Sequence, residues 1–107
     1  MIDSWIKISI RILEAWFLLL GFQPSSDWDA NDPACLRDEG PYRIITVQAH
    51  GLDRTFLNTD ELSYSLWEFL DCFSGLPGGF PLRIYEVNEY ESPYFGKCIY
   101  ASIYLTA

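Results

Sequence analysis

The stretch Asp27-Trp28-Asp29-Ala30-Asn31-Asp32, with Asp38 at the twelfth place, spaces its carboxylates much as a calcium loop does, where oxygens at the first, third and fifth places converge on the ion. The match stops at three places. Asp32 stands where glycine must make the sharp turn, Asp38 where a bidentate Glu closes the shell, and Pro41 where the exiting helix should run. A solvated acidic loop is the reading that follows. His50 is the only histidine, and neither a metal site nor a Ser/His/Asp arrangement can be assembled around it. Gly75, Gly78 and Gly79 lack the Lys of a phosphate-cradling loop. Fifteen acids in 107 residues produce neighbouring carboxylates by chance, so such pairs do not identify an acid and base. The expectation is a protein without catalytic residues, metal or cofactor.

The residues better suited to chemistry are those suited to contact. Glu61, Tyr64, Glu68 and Asp71 recur at helical spacing and share one exposed face with Asp60. A second surface is expected on a sheet. If Ile99, Ala101, Ile103 and Leu105 point into the core, Tyr100 and Tyr104 point away. The same alternation, counted from Leu82 and Ile84 inward, sends Arg83, Tyr85, Val87, Glu89 and Glu91 outward. Tyrosine offers large contact area at low entropic cost, and carboxylates beside it suit a basic partner.

Charge agrees with that reading. The formal net charge is −8, and between Asp27 and Glu91 thirteen acids face four bases. Such a field repels nucleic acid and anionic membrane and steers the chain toward basic surfaces. Cys35, Cys72 and Cys98 are odd in number and widely spaced, which suggests neither a disulfide framework nor a zinc site and fits a reducing cytoplasm. Ile12 to Phe22, preceded by Lys7 and Arg11, loosely imitates a signal peptide. Glu14 interrupts its apolar run, which is also too short to span a membrane.

The elements that must position these residues follow from periodicity. Ile6, Ile10, Leu13, Phe17 and Leu20, beside Trp5, Ile8, Ile12, Trp16 and Leu19, predict a helix with most of its circumference covered, starting near Asp3 or Ser4 and stopping at Gly21. An acidic, irregular loop is expected over 23–41. Tyr42 to Ala49 reads as a strand, forming a hairpin with a short strand near Arg54 to Leu57. Asn58 or Thr59 caps a second helix with Leu62, Leu66, Phe69, Leu70 and Phe73 as its buried stripe. Leu82 to Glu91 and Lys97 to Leu105 complete the order α-β-β-α-β-β. The expected fold is one α+β domain over 1–107, a four-stranded antiparallel sheet with two helices packed on one face.

Phe56, Asn58, Thr59, Asp60, Glu61 and Leu62, followed by Trp67, Phe69, Leu76-Pro77-Gly78 and Arg83-Ile84, resemble the progression of strand, capped helix, Leu-Pro-Gly and Arg-Ile in a small phage anti-CRISPR of the type I-F systems. About thirty residues are covered. The resemblance implies an inhibitor, encoded by a phage or mobile element, that docks on an RNA-guided surveillance complex and keeps target DNA from binding. The carboxylates would stand in for phosphates on a basic groove, with Tyr85, Tyr100 and Tyr104 as anchors. The partner is then a basic protein or ribonucleoprotein complex, not nucleic acid or membrane. Two alternatives remain: an immunity protein that neutralises a basic nuclease toxin, and a small-molecule-binding domain or enzyme subunit with a pocket lined by Trp28, Tyr94 and Phe95. A homodimer through the tyrosine-rich sheet is also open.

Overall fold

A computed structural model of the chain describes residues 2–51, 58–73 and 82–106. The hairpin strand expected near Arg54 to Leu57, and Leu76-Pro77-Gly78, lie outside the described residues. Two helices and five strands follow in the order α1 (Ile2–Leu20), β1 (Gln23–Pro24), β2 (Leu36–Glu39), β3 (Tyr42–His50), α2 (Thr59–Asp71), β4 (Arg83–Ser92) and β5 (Gly96–Thr106). All pairings are antiparallel, and the sheet runs β1-β3-β5-β4, with β2 on the same flank of β3 as β1.

The alternation Ile6, Ile8, Ile10, Ile12 allows a strand as well as a helix. The helix forms because it aligns Leu13, Trp16 and Phe17 for the core, all at most 1% exposed. Its end is chemically specific. Gly21 adopts φ 86°, the amide of Gly21 donates to the Leu18 carbonyl at 3.0 Å and that of Phe22 to the Phe17 carbonyl at 2.9 Å. The Phe17 and Phe22 rings close the turn edge to face at 6.3 Å, so the orphan carbonyls and the apolar contact of a Schellman stop are both present. At α2, the Asn58 side chain accepts from the Glu61 amide at 2.8 Å, the expected cap.

Both helices cover one face of the sheet. Leu13, Trp16 and Phe17 of α1 and Leu62, Leu66 and Leu70 of α2 join Ile45, Val47, Ala49, Val87, Ile99, Ala101, Ile103 and Leu105 in a single core. The Trp16 indole donates to Ser65 Oγ at 3.2 Å, so even the contact between the helices satisfies its polar atom. The Ser9 hydroxyl, fully buried, donates to the Trp5 carbonyl one turn back. α1 begins at Ile2, so Asp3 and Ser4 lie within the helix and do not precede it, and it is less covered than its two apolar stripes predict: Ile8, Leu18 and Leu19 are exposed. None of the described helices is long and apolar enough to cross a membrane.

Three further expectations are corrected. The segment 23–41 is not irregular throughout, because β1 and β2 arise within it and pair with β3; the sheet therefore has five strands, four in its main order. The open flank of β3 supplies the reason. Its amide and carbonyl groups must be satisfied, and β1 takes one end and β2 the other, the latter through a turn at Gly40 (φ 61°) and Pro41. Between them, the Ser25 amide donates to the Gln48 carbonyl at 2.8 Å, the Thr46 amide to the Cys35 carbonyl at 2.9 Å, and the Trp28 indole to the Thr46 carbonyl at 3.0 Å. An indole thus fills a rung of the ladder.

The second correction concerns β4. Ile84 pairs with Ile103 and Glu86 with Ser102, leaving Tyr85 as an extra residue in a β-bulge. Every residue beyond it changes face relative to simple alternation from Leu82. Third, the far face of the sheet is not tyrosines and acids alone: Tyr42 and Tyr85 are exposed on it, but buried residues lie among the rings. Ile44 is 1% and Ser102 2% exposed there, and Thr46 Oγ1 and Ser102 Oγ share a buried hydrogen bond at 2.6 Å.

Candidate functional site

α2 has no Lys or Arg, and its outward residues are Asp60, Glu61, Tyr64, Trp67, Glu68 and Asp71. Spacings of one and three keep all six on one stripe that rises about 16 Å along the helix axis. Tyr64 and Trp67 are 61% and 56% exposed and stack on each other with centroids 6.0 Å apart. Among the described residues, the four carboxylates of this stripe enter no ion pair or side-chain hydrogen bond. An exposed aromatic pair framed by unpaired acids is costly to leave facing water and well suited to a desolvating, cationic contact. Trp67 is the residue that sequence reasoning missed here. Its place three residues after Tyr64 and four before Asp71 is the signal that identifies it.

A groove continues the stripe. Trp67, Leu70 and Asp71 of α2, with Leu82, Arg83, Ile84 and Tyr104, line a cavity of about 560 Å³. Asp71 and Tyr104, expected on separate surfaces, therefore line one depression around the start of β4. From Tyr104 the aromatic surface runs on: Tyr42 meets it edge to face at 4.9 Å.

On the far face of the sheet the acids have internal work. The Arg37 guanidinium lies 5.6 Å from the centre of the Tyr85 ring, while Glu39 Oε2 accepts from Arg37 Nε and from the Tyr85 hydroxyl, both at 3.4 Å. On the opposite, helix-side face, where Arg43 stands across from Leu105, Arg43 Nε donates to Asp38 Oδ1 at 2.9 Å and holds that carboxyl below the usual range. On the far face again, burial raises the Tyr100 phenol, helped by a hydrogen bond to Glu86 and by that carboxylate's charge. Arg37 and Tyr104, the cross-strand neighbours of Ile44 on this face, flank it, and Ile44 is 1% exposed.

Glu89 and Glu91 do not belong to the tyrosine face. The bulge at Tyr85 turns Val87, Glu89 and Glu91 toward the helix side, opposite Ala101, Ile99 and Lys97, and Val87 is buried. Glu86, Asn88 and Tyr90 take their places, opposite Ser102, Tyr100 and Cys98. The structure thus brings Glu61, Tyr64, Glu68 and Asp71 together and connects them to Tyr104 through the groove, while Tyr85 lies with Arg37 and Glu39 on the far face. Tyr100 lies deeper along the sheet, and Glu89 and Glu91 stand apart.

In the acidic loop the carboxylates serve the backbone. Asp29 Oδ1 accepts the Asn31 amide and Asp32 Oδ1 the Ala34 amide, each at 2.9 Å, and Asp27 takes the Ser25 hydroxyl. Among the described residues no group of three His, Cys, Asp or Glu could hold a metal. Trp28 and Phe95 line separate cavities of about 50 and 220 Å³, and Tyr94, at 88% exposure, lines neither. No family model, no curated protein and no solved structure matches the chain.

Proposed function

We propose that this chain is a non-enzymatic binding protein whose α2 stripe and adjoining groove dock on a basic surface of a nucleic-acid-handling protein or ribonucleoprotein complex, and so inhibit it. The observation that carries the reading is the stacked Tyr64 and Trp67 pair among four carboxylates that have no side-chain partner among the described residues. Carboxylates in such an array occupy the positions that phosphates hold on a cationic groove, and the aromatic pair supplies the apolar anchor that charge alone lacks. The described residues behind the anti-CRISPR resemblance double as fold elements: Asn58 caps α2, Leu62 is core, and Arg83 and Ile84 open β4. A CRISPR effector is accordingly the specific partner proposed, and a nuclease toxin is the competing one.

The deciding experiment is affinity capture from a bacterial lysate that carries a CRISPR system, with the wild-type chain and the double variant Trp67→Ala, Glu68→Lys side by side. Retention of an effector subunit by the wild type alone, with reduced interference in a plaque assay, is the expected result. Retention of a nuclease toxin assigns the chain as an immunity protein. If neither is retained in a way that depends on the stripe, the proposal is wrong.

A further inference from the structure

A different cavity lies on the far face of the sheet, away from α2. Its floor is built across three strands in register: His50 of β3 stands opposite Cys98 of β5, and Cys98 opposite Tyr90 of β4. Ser25 and Asp27 close one side, and Ser92 and Phe95, from the turn between β4 and β5, close the other. The volume is about 220 Å³, room for about seven waters.

The walls differ in chemistry. One is aromatic: the His50 imidazole and Phe95 ring stack with centroids 4.5 Å apart at 14°. The other is polar. Gln48 Oε1 accepts from the Tyr90 hydroxyl at 3.1 Å, and Ser25 donates to Asp27. Burial foremost, then Cys98 and the charge of Asp27, push the Tyr90 phenol up to about 12, so it stays a neutral donor. The cavity is anchored: the Ser25 amide bonds to the Gln48 carbonyl, and Ser92 Oγ accepts the Tyr94 and Phe95 amides at 3.2 and 3.3 Å.

No Lys or Arg is among the lining residues described, so phosphates and carboxylates find no counter-charge, whereas Asp27 offers one to a cation. A planar cation satisfies both walls at once, because a guanidinium stacks on aromatic faces and donates along its edge to carboxylate and amide oxygens. An ammonium would gain the charge but lose the stacking. We infer that the cavity between the loop at Ser25 to Trp28 and the turn at Pro93 to Phe95 binds a guanidinium group, an outer ring face of the stacked His50 and Phe95 pair forming its stacking wall and Asp27 and Gln48 accepting hydrogen bonds from its edge. The group could come from a free guanidino compound or from an arginine side chain. The site goes beyond the α2 reading and does not depend on it.

The test is titration of the isotope-labelled full chain with agmatine, with a Gly-Arg-Gly peptide and with citrulline amide, whose urea keeps the shape and lacks the charge. Agmatine should shift the amides of Gln48, His50, Tyr90 and Phe95 and saturate with a Kd of about 1 mM or tighter. Citrulline amide, and agmatine on Asp27→Asn, should bind about tenfold more weakly. Because Asp27 is exposed and on a loop, that variant should leave the rest of the spectrum in place. Agmatine binding as tightly as the peptide points to a free guanidino compound as the source, and tighter binding of the peptide to a protein arginine. Equal binding of citrulline amide, absence of saturable shifts at these four residues, or shifts confined to the α2 stripe would overturn the assignment.

Discussion

α2 and the far face of the sheet carry the same residue types, tyrosine and carboxylate, to opposite ends. On the sheet's far face, Glu39 binds Arg37 and Tyr85, and Tyr42 leans on Tyr104. Arg37 and Tyr104 flank Ile44, and these side chains spend their hydrogen bonds inside the molecule. On α2, the carboxylates of Asp60, Glu61, Glu68 and Asp71 have no such partners among the described residues, and Tyr64 and Trp67 have each other. Composition does not distinguish an interface from a brace. What distinguishes them is whether the polar atoms are already satisfied, because only unsatisfied, partly apolar surface gains from desolvation by another molecule.

That contrast can be broken by mutation. The largest effects should come from the sheet and the core. Ile44→Ala, at a site 1% exposed, should cost about 2–4 kcal/mol of unfolding free energy in urea, comparable to Leu66→Ala beneath α2. If Ile44→Ala costs under about 1 kcal/mol, the far face is an open surface and not a brace. Next, Trp67→Ala should weaken partner binding by about 2 kcal/mol and change stability by no more than about 0.5 kcal/mol, measured by calorimetry and by urea melts. A stability loss equal to the binding loss would place Trp67 with the structural aromatics. Removing the cap with Asn58→Ala should cost about 1 kcal/mol, because the Glu61 amide loses its acceptor.

The smallest effects are electrostatic. Tyr90 is raised to about 12 in the folded chain, so its contribution is complete below the ordinary tyrosine value of 10.0 and is lost as pH climbs from there through 12. Tyr90→Phe should flatten stability across that alkaline window. Asp38 is depressed below 3.8, so its pairing with Arg43 contributes above that value and is lost as pH falls below it. Asp38→Asn should remove a small part of the acid sensitivity, and the pair's exposure keeps the change near the limit of measurement.

Much of the fold was legible in the chain, and the reasons are local. Leu62, Leu66 and Leu70 lie on one side of any helix drawn through them, and Asn58 with Glu61 marks its start. Ile99, Ala101, Ile103 and Leu105 alternate cleanly, and their faces are those observed. The α2 stripe was legible for the same reason, Trp67 aside, since a 3.6-residue period depends only on neighbours in sequence. β1 and β2 were not, because two- and four-residue strands in an acidic, proline-bearing stretch have little propensity of their own.

By itself, then, the sequence determined the two helices, the glycine stop of α1 and the Asn58 cap of α2, the strand character of β3, β4 and β5, and the net negative charge. Tertiary structure alone decided where the charge is available. The bulge at Tyr85 exchanged Glu89 and Glu91 for Glu86 on the tyrosine face, since one extra residue in a period of two inverts all that follow it. The open flank of β3 drew in β1, β2 and the Trp28 indole because its backbone groups had to be satisfied by something. Both decisions depend on residues far apart in sequence, and so no local pattern records them.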